Sequence, residues 1–161
     1  MSIFDVGKMC TFSKISGVIL NNGQPVAGAK IIRETRYEKT FSDQAVTDDN
    51  GYFEMPALFV RSIAKFLPME FGAWQSMKIV LDGTEHKIWG ATKTSKEENS
   101  ESKGKPLIVT CDLSDDEQVF QVSGETFFTK CKWDVEKDEP LFSDGVYFDD
   151  QIKDDNSEDV N

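Results

Sequence analysis

The sequence predicts an all-β, antiparallel sandwich, and three observations carry the prediction. Apolar and polar residues alternate over short runs, glycine-containing turn pairs separate those runs, and no repeat recurs at a fixed period. Many short strands that each bury one face are satisfied by stacking two layers of them. At 161 residues, with a hydrophobic share of 39%, 12 Phe and 3 Trp, the chain has the size and apolar content of one domain with its own core.

In chain order, Val18-Ile19-Leu20 and Ala29-Lys30-Ile31-Ile32 flank Asn22-Gly23, a pair that tolerates the positive φ of a tight turn. Asn50-Gly51 supplies a second turn. Phe59, Ile63, Phe66 and Leu67 then recur at helical spacing, with Arg61 and Lys65 off that face and Pro68 closing the run, so one short helix is expected. Met77, Ile79 and Leu81 alternate with Lys78 and Asp82, and Asp82-Gly83 predicts a hairpin joining strands over 77–82 and 84–91. Residues 93–105 contain no apolar side chain and read as an exposed loop. Leu107, Val109, Cys111 and Leu113 share one strand face, and Phe127, Thr129, Cys131 and Trp133 share another. Cys111 and Cys131 therefore face a core. They are candidates for a cross-strand bond, but buried free thiols are the expectation in a reducing compartment.

Residues 16–31, Ser16-Gly-Val-Ile-Leu-Asn-Asn-Gly-Gln-Pro-Val-Ala-Gly-Ala-Lys-Ile31, followed by Thr47-Asp-Asp-Asn-Gly-Tyr-Phe-Glu-Met-Pro56, resemble the carboxypeptidase regulatory-like domain. The resemblance implies a transthyretin-like (prealbumin-like) antiparallel β-sandwich. It places Pro25 at a strand edge and a hairpin at Asp49-Asn50-Gly51, before Tyr52-Phe53 returns to the core. Gln75 to Trp89, Pro106 to Leu113 and Cys131-Lys-Trp133 are similar to a small bacterial family without a settled function, some members of which lie near interbacterial toxin systems. That likeness implies an immunity or adaptor protein. The hydrolase of 5-hydroxyisourate shares the fold, and the resemblance implies for its site a cluster of histidines and an arginine with a C-terminal Tyr-Arg-Gly-Ser, whereas this chain has one histidine and ends Glu-Asp-Val-Asn.

The net charge is −11, which argues against nucleic acid and anionic membrane surfaces as partners. Residues 1–133 carry 16 basic and 18 acidic side chains; residues 134–161 carry 2 and 11. The expected organisation is thus a sandwich over 1–133 and an acidic, partly disordered tail over 134–161. Apolar residues set among the tail's acids make it a candidate arm for a basic toxin or secretion component: Leu141, Phe142, Tyr147 and Phe148 with Asp149, Asp150, Asp154 and Asp155. The N-terminus lacks the basic start and apolar stretch of a secretory signal, no run approaches 18 apolar residues, and three cysteines form no metal-type pair, so cytoplasm is the expected compartment.

No nucleotide, hydrolase or metal signature occurs in the sequence, and no cofactor or catalytic set is expected. Asp48-Asp49-Asn50-Gly51 lacks the alternating ligands of a calcium loop and reads as a hairpin turn. His86 lies between charged neighbours and reads as a surface residue. The favoured expectation is a non-catalytic protein-binding module. The alternative is a small-ligand protein or enzyme using a cleft near Trp74, Trp89 and His86.

Overall fold

The computed structural model describes residues 6–140. Their strands are β1 (Lys8–Phe12), β2 (Ile15–Asn21), β3 (Gln24–Pro25), β4 (Lys30–Tyr37), β5 (Lys39–Val46), β6 (Tyr52–Met55), β7 (Leu58–Arg61), β8 (Ala73–Leu81), β9 (Thr84–Lys93), β10 (Leu107–Asp112), β11 (Gln118–Val122), β12 (Glu125–Thr129) and β13 (Cys131–Trp133). The molecule is all-β, with largely antiparallel sheets in a sandwich-like arrangement. One sheet runs β11-β12-β9-β8-β4-β5, and a second runs β13-β10-β2-β3 with β6 also on β2. A two-stranded ribbon pairs β1 with β7. The exception to antiparallel pairing is β2 beside β10, in register from Ile15↔Leu107 to Leu20↔Asp112. Gly17 permits that approach, because a Cβ there would meet the Val109 carbonyl oxygen at 1.9 Å.

Alternation decides which side chains enter the core. Ile15 and Ile19 of β2, Ile31 of β4, Met77 and Ile79 of β8, and Leu107, Val109 and Cys111 of β10 point inward together. Trp89 sits among Phe12, Phe127 and Trp133, with ring centroids 5.8, 5.3 and 4.9 Å away. It reaches the interior through a bulge in β9, where pairing passes from Met77↔Trp89 to Lys78↔Lys87 and both Ile88 and Trp89 turn inward. The Asn22-Gly23 and Asp82-Gly83 turns have positive φ at both positions, as their sequences require. Each joins its strands by the tightest hairpin available.

Three expectations need correction. Cys111 and Cys131 are not free thiols: they face each other across β10 and β13, with Cα atoms 4.0 Å apart, and form a disulfide. The run from Phe59 to Leu67 is not a core-facing helix. Phe59 belongs to β7, the helix is a single 3₁₀ turn at Ile63–Phe66, and none of that turn's residues is buried. Residues 93–105 are not simply an exposed loop, since Lys93, Glu101 and Ser102 are fully buried. Polar composition hid this because the loop's contribution to the interior is ionic and hydrogen-bonded.

Candidate functional site

The feature of the surface with the least structural explanation is the connection from β7 to β8. Ile63 is 79% exposed, Phe66 65% and Met69 59%, with Leu67 and Phe59 also exposed. Val6 comes up beside them. Ser62 donates its backbone N–H to the Gly7 carbonyl, and Val6, Gly7, Arg61, Ser62, Ile63 and Phe66 line a groove of about 270 Å³. Gly7 keeps that contact close: a Cβ would sit 3.1 Å from the Ser62 carbonyl oxygen. The 3₁₀ turn is begun by the Ser62 hydroxyl, which accepts from the Ala64 N–H. Large apolar side chains are thus held outward by specific local bonding, and exposed clusters of this kind mark interaction surfaces.

Basic residues border the cluster. The Lys8 ammonium lies 4.0 Å from the Phe59 ring centroid, and Lys8 faces Arg61 across the ribbon. Lys65 is on the turn itself, and Lys96 donates to its carbonyl at 3.2 Å. Four cations therefore surround an apolar knob on a chain whose total charge is strongly negative.

Behind the knob, residues 94–105 form a polar plug. The Lys93 ammonium, wholly buried, donates to the carbonyls of Ser95 and Glu97 and to the Ser100 hydroxyl. It stands 3.9 Å from the Glu101 carboxylate, also wholly buried. Gln75 links Glu101 to the core, donating to it at 3.3 Å and accepting from the Trp89 indole at 3.1 Å. Burial raises the Glu101 pKa, with Lys93 opposing it. Burial likewise pushes the nearby Cys10 thiol up to about 11, against the pull of Lys93. A thiol so protonated is a poor nucleophile at neutral pH. The other end of the plug is fixed by Glu125, whose carboxylate accepts from the Thr94 and Ser95 backbone N–H groups and the Thr94 hydroxyl.

The residues singled out from sequence divide sharply. Leu141, Phe142, Tyr147, Phe148, Asp149, Asp150, Asp154 and Asp155 all lie outside the described residues. Trp74, Trp89 and His86 do not share a cleft. Trp74 is exposed on the outer face of the six-stranded sheet, where it and Phe128 wall a cleft of about 480 Å³ over Gly90. Trp89 is in the core, and His86 is half-buried opposite Ile79. Asp48 closes its hairpin by accepting from the Asn50 and Tyr52 N–H groups, the role of a turn residue. Among the described residues, no three His, Cys, Asp or Glu side chains cluster as metal ligands, and no helix is long and apolar enough to cross a membrane. The knob escaped sequence analysis because its helical spacing mimics a core stripe.

A family model described as Domain of unknown function (DUF6795) matches residues 15–116, well over half of the chain. The match begins at β2 and runs past β10, so it includes the knob, the plug and the parallel β2–β10 pair. A search of the curated proteins finds no match.

Proposed function

This chain belongs to the DUF6795 family, and we propose that it is a non-catalytic protein-binding module that uses the apolar, basic-rimmed knob to hold its partner. One observation carries the reading: Ile63, Phe66, Leu67 and Met69 are large, fall within seven residues of one connection and are all exposed. The fitting partner presents an apolar segment with acidic neighbours. Apolar side chains would fill the groove by Val6 and Phe66, and carboxylates would meet the basic rim at Lys65 and Lys96.

An immunity or adaptor role beside a toxin or secretion component, within a carboxypeptidase regulatory-like sandwich, is the form of this proposal that the sequence resemblance supports. Cytoplasmic residence belongs to it too, and the Cys111–Cys131 bond weighs against that compartment, because disulfides persist where thiols are not kept reduced. Counting free thiols in protein taken from its native host decides the point. A second reading, small-ligand binding, keeps support from Trp74 and Phe128 alone, which face each other across the outer cleft.

The test is affinity capture from the native host with the full chain and with I63D/F66D, followed by titration of the purified captured protein. The proposal expects the double variant to fold and to weaken that titration by about 30-fold or more, the scale of an interface hot spot. Equal affinity for both chains refutes it.

A further inference from the structure

We infer that the outer cleft of the six-stranded sheet binds a neutral oligosaccharide of glucose-type pyranoses between Trp74 and Phe128. The inference rests on the small-ligand reading, names its ligand class, and makes no use of the knob. Phe128 stands directly beside Gly90, and Trp74 directly beside Thr92, on the two strands that flank β9. The two exposed aromatic residues are therefore two strands and two residues apart, about 12 Å between backbones. Gly90 gives the floor between them no side chain of its own. Lys87 uses that space: a Cβ on Gly90 would lie 3.2 Å from the Lys87 Cε and Nζ, so the ammonium lies across the floor.

A glucose-type pyranose carries hydroxyls around its rim and turns faces of C–H bonds above and below. It needs aromatic walls for the faces, and both donors and acceptors for the rim. The cleft supplies each. Trp74 and Phe128 are the walls, and the Lys87 ammonium is a donor. The Thr126 hydroxyl accepts from the Gln121 amide at 3.1 Å and keeps its own proton to donate. Thr94 and Glu125 form a sill that the cleft shares with a polar hollow, which Ser100, Lys103 and Ser123 help to line. Glu125 Oε1 holds the Thr94 and Ser95 backbone, but its buried Oε2 has no donor among the described residues. An unpaired buried acceptor is costly, and a ligand hydroxyl at the sill is the donor it lacks. The two hollows, about 480 and 410 Å³, are each of ligand-holding size, and together they suit a chain of sugars rather than one compact molecule. Charge selects against an anion, because the Glu117 carboxylate, 4.0 Å from Lys87, balances it and Glu125 adds a further negative charge.

The experiment follows the indole N–H signals of the full chain by NMR while cellotetraose, maltotetraose and N-acetylchitotetraose are titrated in turn. At least one of them should shift the Trp74 signal saturably and leave the signal of Trp89, buried and bonded to Gln75, in place. Gly90→Val should weaken that titration about tenfold or more, by filling the floor and displacing Lys87, and a β-branched residue in a strand should not lower the melting temperature. Phe128→Ala, at an exposed position, should weaken binding on the same scale. A Trp74 signal indifferent to all three sugars overturns the inference, as does a titration that Gly90→Val and Phe128→Ala both leave unaltered. A response to indole-3-acetate or inorganic phosphate, with none to the sugars, also overturns it while keeping the small-ligand reading, so the two fail separately. None of these outcomes touches the partner titration with I63D/F66D.

Discussion

The two connections at this end of the sandwich invert what their compositions suggest. Residues 62–70 include Ile63, Phe66, Leu67 and Met69, and leave them in solvent; residues 93–105 have no apolar side chain, and send Lys93, Glu101 and Ser102 into the interior. The difference teaches that burial follows from whether a segment can satisfy itself. Lys93 finds three oxygen acceptors and a carboxylate within the plug, so its charge is desolvated at tolerable cost. The 3₁₀ turn satisfies its backbone locally, and among the described residues no surface covers its side chains. One connection is tied into the interior, and the other leaves its apolar side chains exposed.

Breaking the plug should have the largest effect. Lys93→Ala strips Glu101 of its cation and leaves buried acceptors at Ser95, Glu97 and Ser100, and urea unfolding of the full chain should show a loss of about 3–5 kcal/mol. Removing the disulfide comes next. Cys131→Ala opens a bond between residues 20 apart, and the expected loss is about 3 kcal/mol, matched in the wild type by adding reductant. The knob is the opposite case. Ile63→Ser and Phe66→Ser should each change stability by no more than about 0.5 kcal/mol, because no packing is lost at an exposed position. A loss as large as that of Lys93→Ala would erase the contrast between the two connections.

The smallest effect concerns pH. The Asp112 carboxylate accepts from the Ser114 hydroxyl and from the Ser114, Gly23 and Asn22 N–H groups, and these bonds hold its pKa down to about 2. A folded-state pKa below the unfolded value means that the contribution is present above the usual carboxylate range and is lost as pH falls from about 4 through 2. Asp138 caps the Ser123-Gly124 turn in the same way and is also held low. Asp112→Asn should therefore lower the melting temperature modestly at pH 7, leave it little changed near pH 2, and so flatten the acid limb of the profile. An unchanged acid limb would show that the turn bonds do not discriminate the charged form.

Much of the sandwich was legible because it rests on period-2 alternation. Leu107, Val109, Cys111 and Leu113 are buried together and the Asp82-Gly83 hairpin falls where its sequence puts it, whereas the single strand expected over Phe127, Thr129, Cys131 and Trp133 is two, β12 in one sheet and β13 in the other. Pairings between distant segments were not legible. Nothing local in Ile15–Asn21 or Leu107–Asp112 announces that β2 and β10 run parallel, and the bulge that sends Ile88 and Trp89 to one side breaks the very alternation used to read strand faces. The plug was missed for a different reason. A buried lysine is specified by where its acceptors sit in space, and sequence composition reports only that they are polar. At the knob, helical spacing was real but had no core to face.

Native-state hydrogen exchange on the full chain compares the two connections in a single measurement. The Asn99 N–H is donated to the Ser13 hydroxyl and the Ser102 N–H to the Asn99 carbonyl, inside the plug; the Lys65 and Leu67 N–H groups close only the 3₁₀ turn. Asn99 and Ser102 should exchange with free energies approaching that of global unfolding, while Lys65 and Leu67 exchange through local opening several kcal/mol lower, on the scale such openings span. Equal protection at both places, or greater protection at Lys65 and Leu67, would contradict it.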